Sequence, residues 1–236
     1  MKIKYSALVS GASGKLNGSV AANNRYGAYF RNKGIVTNVQ SATQMAVRSV
    51  FGAISKMWGQ LTDGQREAWK NYSKEHPYND IFGDSRILQG SSFFQKVNMN
   101  LHKANLPLLE SPLAPAPLGA LVEVGIAGTA AANALTALSA LARFDEVPTA
   151  NTLLAIYATP AMSAGRSFVK NDFRLIEVHS FTPDTEDVTA NILDSYEEVF
   201  GTSISEGQVI HVLVAALDSV SGMQGPAIRA RQRINF

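Results

Sequence analysis

Apolar and polar positions follow different rhythms along this chain, and the changes of rhythm divide it. Over residues 1–40 Gly, Ser and Asn are frequent and the apolar residues between them are mostly small, which opposes a long helix. Residues 18–22 and 27–31 flank Asn23-Asn24-Arg25-Tyr26, a pattern that predicts a β-hairpin with Asn tolerating positive φ at the turn. From Ser41 the period becomes helical. Val47, Val50, Phe51, Ile54, Met57 and Trp58 recur at three- and four-residue steps and predict an amphipathic helix over 42–59. Thr62 and Gln65 have capping-box spacing, predicting a second helix that runs to Lys74, ahead of Pro77. Ser92 and Gln95 repeat that spacing and start a third helix, with Phe94, Val97 and Leu101 as its buried stripe. Trp58 and Trp69 are placed to pack on each other or on a shared core.

Pro107, Pro112, Pro115 and Pro117 exclude helix and predict an extended connector over 105–119. Beyond it, 152–159 and 208–217 are dense in Val, Ile, Leu and Ala between turn residues, as buried strands are, and 173–181 and 227–234 read as further strands. The Ala-rich run 130–143 is read as β from its surroundings. One helix is expected over 189–200, with Ile192, Leu193, Tyr196 and Phe200 inward and Gly201 as its stop. The resulting fold class is α+β: a basic β-hairpin arm (1–40), a small three-helix unit (41–104), the Pro-rich connector (105–119), and an immunoglobulin- or fibronectin-like β-sandwich with one inserted helix (120–236).

Composition adds two exclusions. No apolar run approaches the roughly 20 residues that span a bilayer, and the first ten residues carry too short an apolar stretch for an export signal, so no membrane partner is expected. The absence of cysteine removes disulfides, thiolate nucleophiles and Cys-based metal sites. The net charge of +2 hides an asymmetry. Residues 1–110 hold 14 Lys and Arg against 6 Asp and Glu, whereas 111–236 hold 7 against 13, so the halves carry +8 and −6. No acid precedes Asp63. A basic arm facing an acidic partner surface accounts for that split.

Local motifs give no support for catalysis. His76, His102, His179 and His211 are scattered, without metal-ligand spacing, and His179 and His211 fall in predicted strands, where a hydrogen-bonded structural role is expected. Gly11-Ala12-Ser13-Gly14-Lys15-Leu16 fails as a phosphate loop because Val stands at 9 and Leu at 16. Asp184, Glu186 and Asp187 lack the Gly and terminal Glu of a calcium loop, and no Gly-x-Ser-x-Gly elbow occurs. The expectation is a protein that is not an enzyme, with no cofactor.

Surfaces remain. In a strand, Arg229, Arg231 and Arg233 line one face, either as the solvent side of an edge strand or as a contact to carboxylates or phosphate. In the arm, Arg25, Tyr26, Tyr29, Phe30 and Arg31 mix cations with aromatics, a combination suited to another subunit or to bases. These eight residues are the candidate subunit contacts. A pI near 8.8 falls short of a dedicated nucleic-acid binder, so nucleic acid is not the expected partner.

The run Gly18-Ser19-Val20 and Asn24-Arg25-Tyr26-Gly27-Ala28-Tyr29-Phe30-Arg31-Asn32-Lys33 is followed in order by Gln44, Arg48, Phe51, Ser55, Trp58, Leu61-Thr62, Gln65-Arg66 and Ala68-Trp69. This pattern resembles a family of proteins encoded by tailed bacteriophages and prophages, crAss-like phages and other phages of Bacteroidota hosts among them. The resemblance covers about the first 100 residues, and more loosely Ala158-Thr159-Pro160 and Ser163-Ala164-Gly165. It implies a virion structural protein, made in the host bacterial cytoplasm, and supplies no catalytic residues. The expected role is a subunit of a neck or tail ring that multimerises through its arm; a capsid accessory (decoration) protein and a nucleic-acid-binding module are the alternatives. Expected partners are copies of the chain in a ring or lattice and other virion proteins of the tail, portal-proximal region or capsid.

Overall fold

A computed structural model describes residues 2–6, 9–34, 40–80, 82–116, 118–131, 134–166, 168–182, 184–201 and 204–234. Parts of several expectations therefore lie outside the described residues: 1, 7, 8 and 35–39 of the arm, 81 of the helical unit, Pro117 of the connector, 132–133 of the Ala-rich run, and 167, 183, 202, 203, 235 and 236 of the sandwich region. The chain is α+β and largely β, with four helices and several antiparallel sheets among the described residues. It divides into two compact units, Met1–Gln95 and Lys96–Phe236.

The first unit opens with strands β1 (Gly14–Leu16), β2 (Ser19–Asn24) and β3 (Gly27–Asn32), paired antiparallel in that order. The expected hairpin is β2–β3, but its turn works differently. Gly27 takes the positive φ, at 107°, while the Asn24 side chain accepts the Tyr26 N–H at 2.9 Å. A second hairpin, β1–β2, turns on Asn17-Gly18. Helix α1 (Ala42–Gln60) is capped by Ser41, and α2 (Asp63–Glu75) starts at the expected capping box. There Thr62 Oγ1 accepts the Gln65 N–H at 3.3 Å and Gln65 Oε1 accepts the Thr62 N–H at 2.9 Å. Arg66 ties the two helices by donating to the terminal carbonyls of α1 at Trp58 and Gly59. Strands β4 (Tyr78–Asn79) and β5 (Ser85–Arg86) form a short ribbon.

Helix α3 (Gly90–Lys103) begins two residues before the expected Ser92 cap, because the Phe93 N–H already bonds to the Gln89 carbonyl. Its Phe94 is the shared core of the two tryptophans: both Trp58 and the fully buried Trp69 place their rings 5.4 Å from it.

The second unit contains β6 (Leu121–Ala131), β7 (Ala134–Phe144), β8 (Thr152–Ala158), β9 (Arg174–Ser180), β10 (Asp187–Asn191), α4 (Leu193–Phe200), β11 (Val209–Asp218) and β12 (Gln224–Arg233). One sheet has the order β10-β7-β6 and the other β12-β11-β8-β9. Inward residues of both, including Leu138, Ala140 and Phe144 of β7, Ile156 of β8 and Ile210, Val212 and Val214 of β11, meet in one core. Each large aliphatic or aromatic side chain so buried contributes roughly 1.5–3 kcal/mol. The expected helix 189–200 is shorter than read. Val188 and Ala190 are buried between exposed Asp187, Thr189 and Asn191, so the segment alternates and pairs with β7; only 193–200 is helical, ending at Gly201.

The division of the chain falls within α3 rather than in the 105–119 connector, and the contacts explain why. Asn98 exchanges hydrogen bonds with both backbone groups of Leu109, at 3.1 and 2.7 Å. The Asn100 amide donates to the Gly222 carbonyl, and the Ala116 N–H donates to buried Asp218. The end of α3 and the proline-rich segment are therefore pinned to the turn between β11 and β12.

Candidate functional site

The arm residues fall into two groups. Arg25 and Tyr26 form the β2–β3 turn, where the Arg25 guanidinium lies 5.2 Å from the Tyr26 ring and donates to Gln89 Oε1 at 2.9 Å. Tyr29 joins Tyr26 in lining a cavity of about 310 Å³ with Lys2, Asn24, Gly27 and Tyr78. Phe30 and Arg31 instead border a depression with Leu16, Ser19 and Asn32. The inner edge of the arm is tied down within its own unit: Lys2 bridges to Tyr29, and the Ile3 N–H donates to the Ala28 carbonyl.

Asp80 is the hub of that attachment. Its carboxylate accepts the N–H groups of Phe82 and Asp84 at 2.8 and 3.2 Å and meets Lys2 and Arg86 at 3.4 and 3.3 Å. Burial pushes the carboxyl up, but the two N–H donors and the two cations outweigh it and hold it below the ordinary carboxylate range. The outer strand β1 is exposed throughout, Leu16 by 71%.

The N-terminal part of α1 is exposed as well. Ile54 is fully buried, whereas Val47 and Phe51, two turns and one turn earlier on the same face, are 53% and 46% exposed. The first eight residues of the helix are all exposed. The period announced the helix but not where its cover ends.

In the second unit the three arginines do line one face of β12, alternating with Ala230 and Gln232, and all three are exposed. Across the register Arg229 faces Leu213, Arg231 faces His211 and Arg233 faces Val209, so no carboxylate stands opposite them. Sequence reading gave His211 a hydrogen-bonded structural role. Its ring is buried, yet its Nδ1 has no hydrogen-bond partner among the described residues, while His179 does meet Glu177, at 3.2 Å. Burial, then the charges of Arg229 and Arg231, hold the His211 imidazole below its ordinary value and therefore neutral at pH 7. The arm and the arginine ladder belong to different units.

Among the described residues no group of three His, Cys, Asp or Glu side chains could hold a metal ion, and no helix is long and apolar enough to cross a membrane. What the two regions present is cationic, aromatic and apolar surface. No protein-family model matches the chain, and no curated protein and no solved structure matches it.

Proposed function

We propose that this chain is a structural, non-catalytic subunit of a bacteriophage virion that assembles with copies of itself through its N-terminal region. The observation that carries the reading is the α1 stripe: Val47 and Phe51 continue the apolar face of buried Ile54 beyond the cover of their own unit. A helix end with few contacts of its own is marginal in water, and an apolar partner surface stabilises it. The occupant is a second copy, because residues before Asp63 hold cations and no acid while residues 111–236 carry −6. The phage resemblance of residues 18–69 supports the virion. A neck or tail ring suits a contact between unlike surfaces, which closes into rings when the rotation permits.

The second unit is in this reading an immunoglobulin- or fibronectin-like sandwich. Its first, second and fifth strands form one sheet, and its third, fourth, sixth and seventh the other, with α4 inserted between the fifth and sixth. The fourth strand pairs with the third, as the strand added in variable-type domains does, rather than with the fifth.

Mass spectrometry of purified particles of the encoding phage tests the proposal. The protein is expected at a fixed copy number, with six- or twelve-fold rings for a neck or tail site. A three-fold or quasi-six-fold lattice would move it to the capsid, and its absence from particles would overturn the reading.

A further inference from the structure

The second unit is polarised within itself. The order β12-β11-β8-β9 puts the arginine ladder on one edge of the four-stranded sheet, and β9 on the other, about 14 Å away at ordinary strand spacing. Helix α4 lies against β9 and β7, with Ser195 donating to Glu177 of β9 at 3.1 Å. Its outer side carries exposed Asp194 and Glu198, with half-buried Glu197 between them, next to exposed Val199. Among the described residues neither these acids nor Arg229, Arg231 and Arg233 make an ion pair.

We infer that the arginine ladder of β12 docks on the acidic face of α4 in the next copy, head to tail. The inference rests on the self-assembly reading above and names a contact for it. Pitch, charge and position agree. Alternate residues of a strand are about 7 Å apart, and helix positions 194 and 198 are about 6 Å apart along the axis, so two guanidinium groups can meet two carboxylates in register. Arginine suits the role because its planar fork grips a carboxylate with two hydrogen bonds. The cross-strand neighbours of the ladder offer no carboxylate, which leaves the exposed guanidinium groups accessible to one from another copy. Because the ladder and the acidic face are different surfaces of one unit, the contact is heterologous, and repeated from copy to copy it generates a ring or filament. Exposed charge pairs set orientation more than strength, so the contact is sensitive to salt.

Charge exchange in the full chain tests this by sedimentation velocity. One variant carries Arg229→Glu, Arg231→Glu and Arg233→Glu, the other Asp194→Lys, Glu197→Lys and Glu198→Lys. Each alone is expected to weaken association by at least roughly tenfold, and an equimolar mixture is expected to restore it with the two alternating one to one. The milder Arg229→Gln, Arg231→Gln, Arg233→Gln variant must weaken assembly in the same direction, which separates the effect from misfolding.

If both exchanged variants assemble as the unaltered chain does, the edge contact is wrong while assembly through the arm and α1 stands. If the unaltered chain is monomeric at every concentration, both fail. If the arginine variant assembles normally but loses affinity for duplex DNA, the ladder is a phosphate surface and the inference is overturned.

Discussion

The Asn100 side-chain amide donates to the Gly222 carbonyl at 3.1 Å, joining α3 to the β11–β12 turn across 122 residues of sequence. Gly222 has φ 67°, and a Cβ placed on it would lie 2.9 Å from the Val97 carbonyl oxygen and from side-chain atoms of Val97 and Leu101. Gly222→Ala combines left-handed strain with overpacking against backbone that cannot move aside. A loss of roughly 3 kcal/mol is expected in urea unfolding of the full chain. An unchanged midpoint would mean that α3 does not pack on this turn.

Thr62→Ala removes one half of the capping box at the start of α2. The cost should be about 1 kcal/mol, and Thr62→Ser should recover most of it, because the acceptor hydroxyl is restored. Denaturant midpoints of the two variants make the comparison.

The arm's attachment should be sensitive to acid through Asp80. Its carboxyl is held below the ordinary value in the folded chain, so its contribution is complete above about pH 5, where an unfolded Asp is ionised, and is lost as pH falls through the lower folded value. Protection factors at Phe82 and Asp84, taken relative to the intrinsic exchange rate at each pH, should fall over that acid range. Asp80→Asn should abolish that fall, and a fall of the same size in that variant would assign it to another group.

Val47→Ser with Phe51→Ser should leave the stability of the isolated chain within about 0.5 kcal/mol, because both side chains are already about half exposed. Self-association should weaken. Equal weakening by Met45→Ser, which is 49% exposed on a different side of α1, would show general stickiness instead of a defined stripe.

Local chemistry was legible and register was not. The capping box at Thr62 and Gln65, the α1 period and the alternation of Arg229, Arg231 and Arg233 each depend on neighbours within a few residues, and each stands in the structure. Asn17-Gly18 is an equally local hairpin signal, and it closes the β1–β2 hairpin ahead of the turn at Arg25-Tyr26. Strand β6 is faint in the sequence because Gly125 and Gly128 weaken its apolar pattern, although Gly128 is where the Leu138 and Ile234 side chains come close. The alternation of β10 was masked by the helical spacing of Ile192, Tyr196 and Phe200 just beyond it. Other features require partners far along the chain. Nothing near Pro115 announces that Ala116 will donate to Asp218, and His211 meets Arg231 only through the pairing of β11 with β12. The exposed end of the α1 stripe is of the same kind, since a period shows which face is apolar and not what covers it.

Self-assembly is the claim on which the functional account stands, and native mass spectrometry of the full chain across a concentration series tests it most directly. The account predicts a defined multimer, six or twelve copies if the ring reading holds, that dissociates as salt is raised. A monomer at every concentration and salt would contradict it.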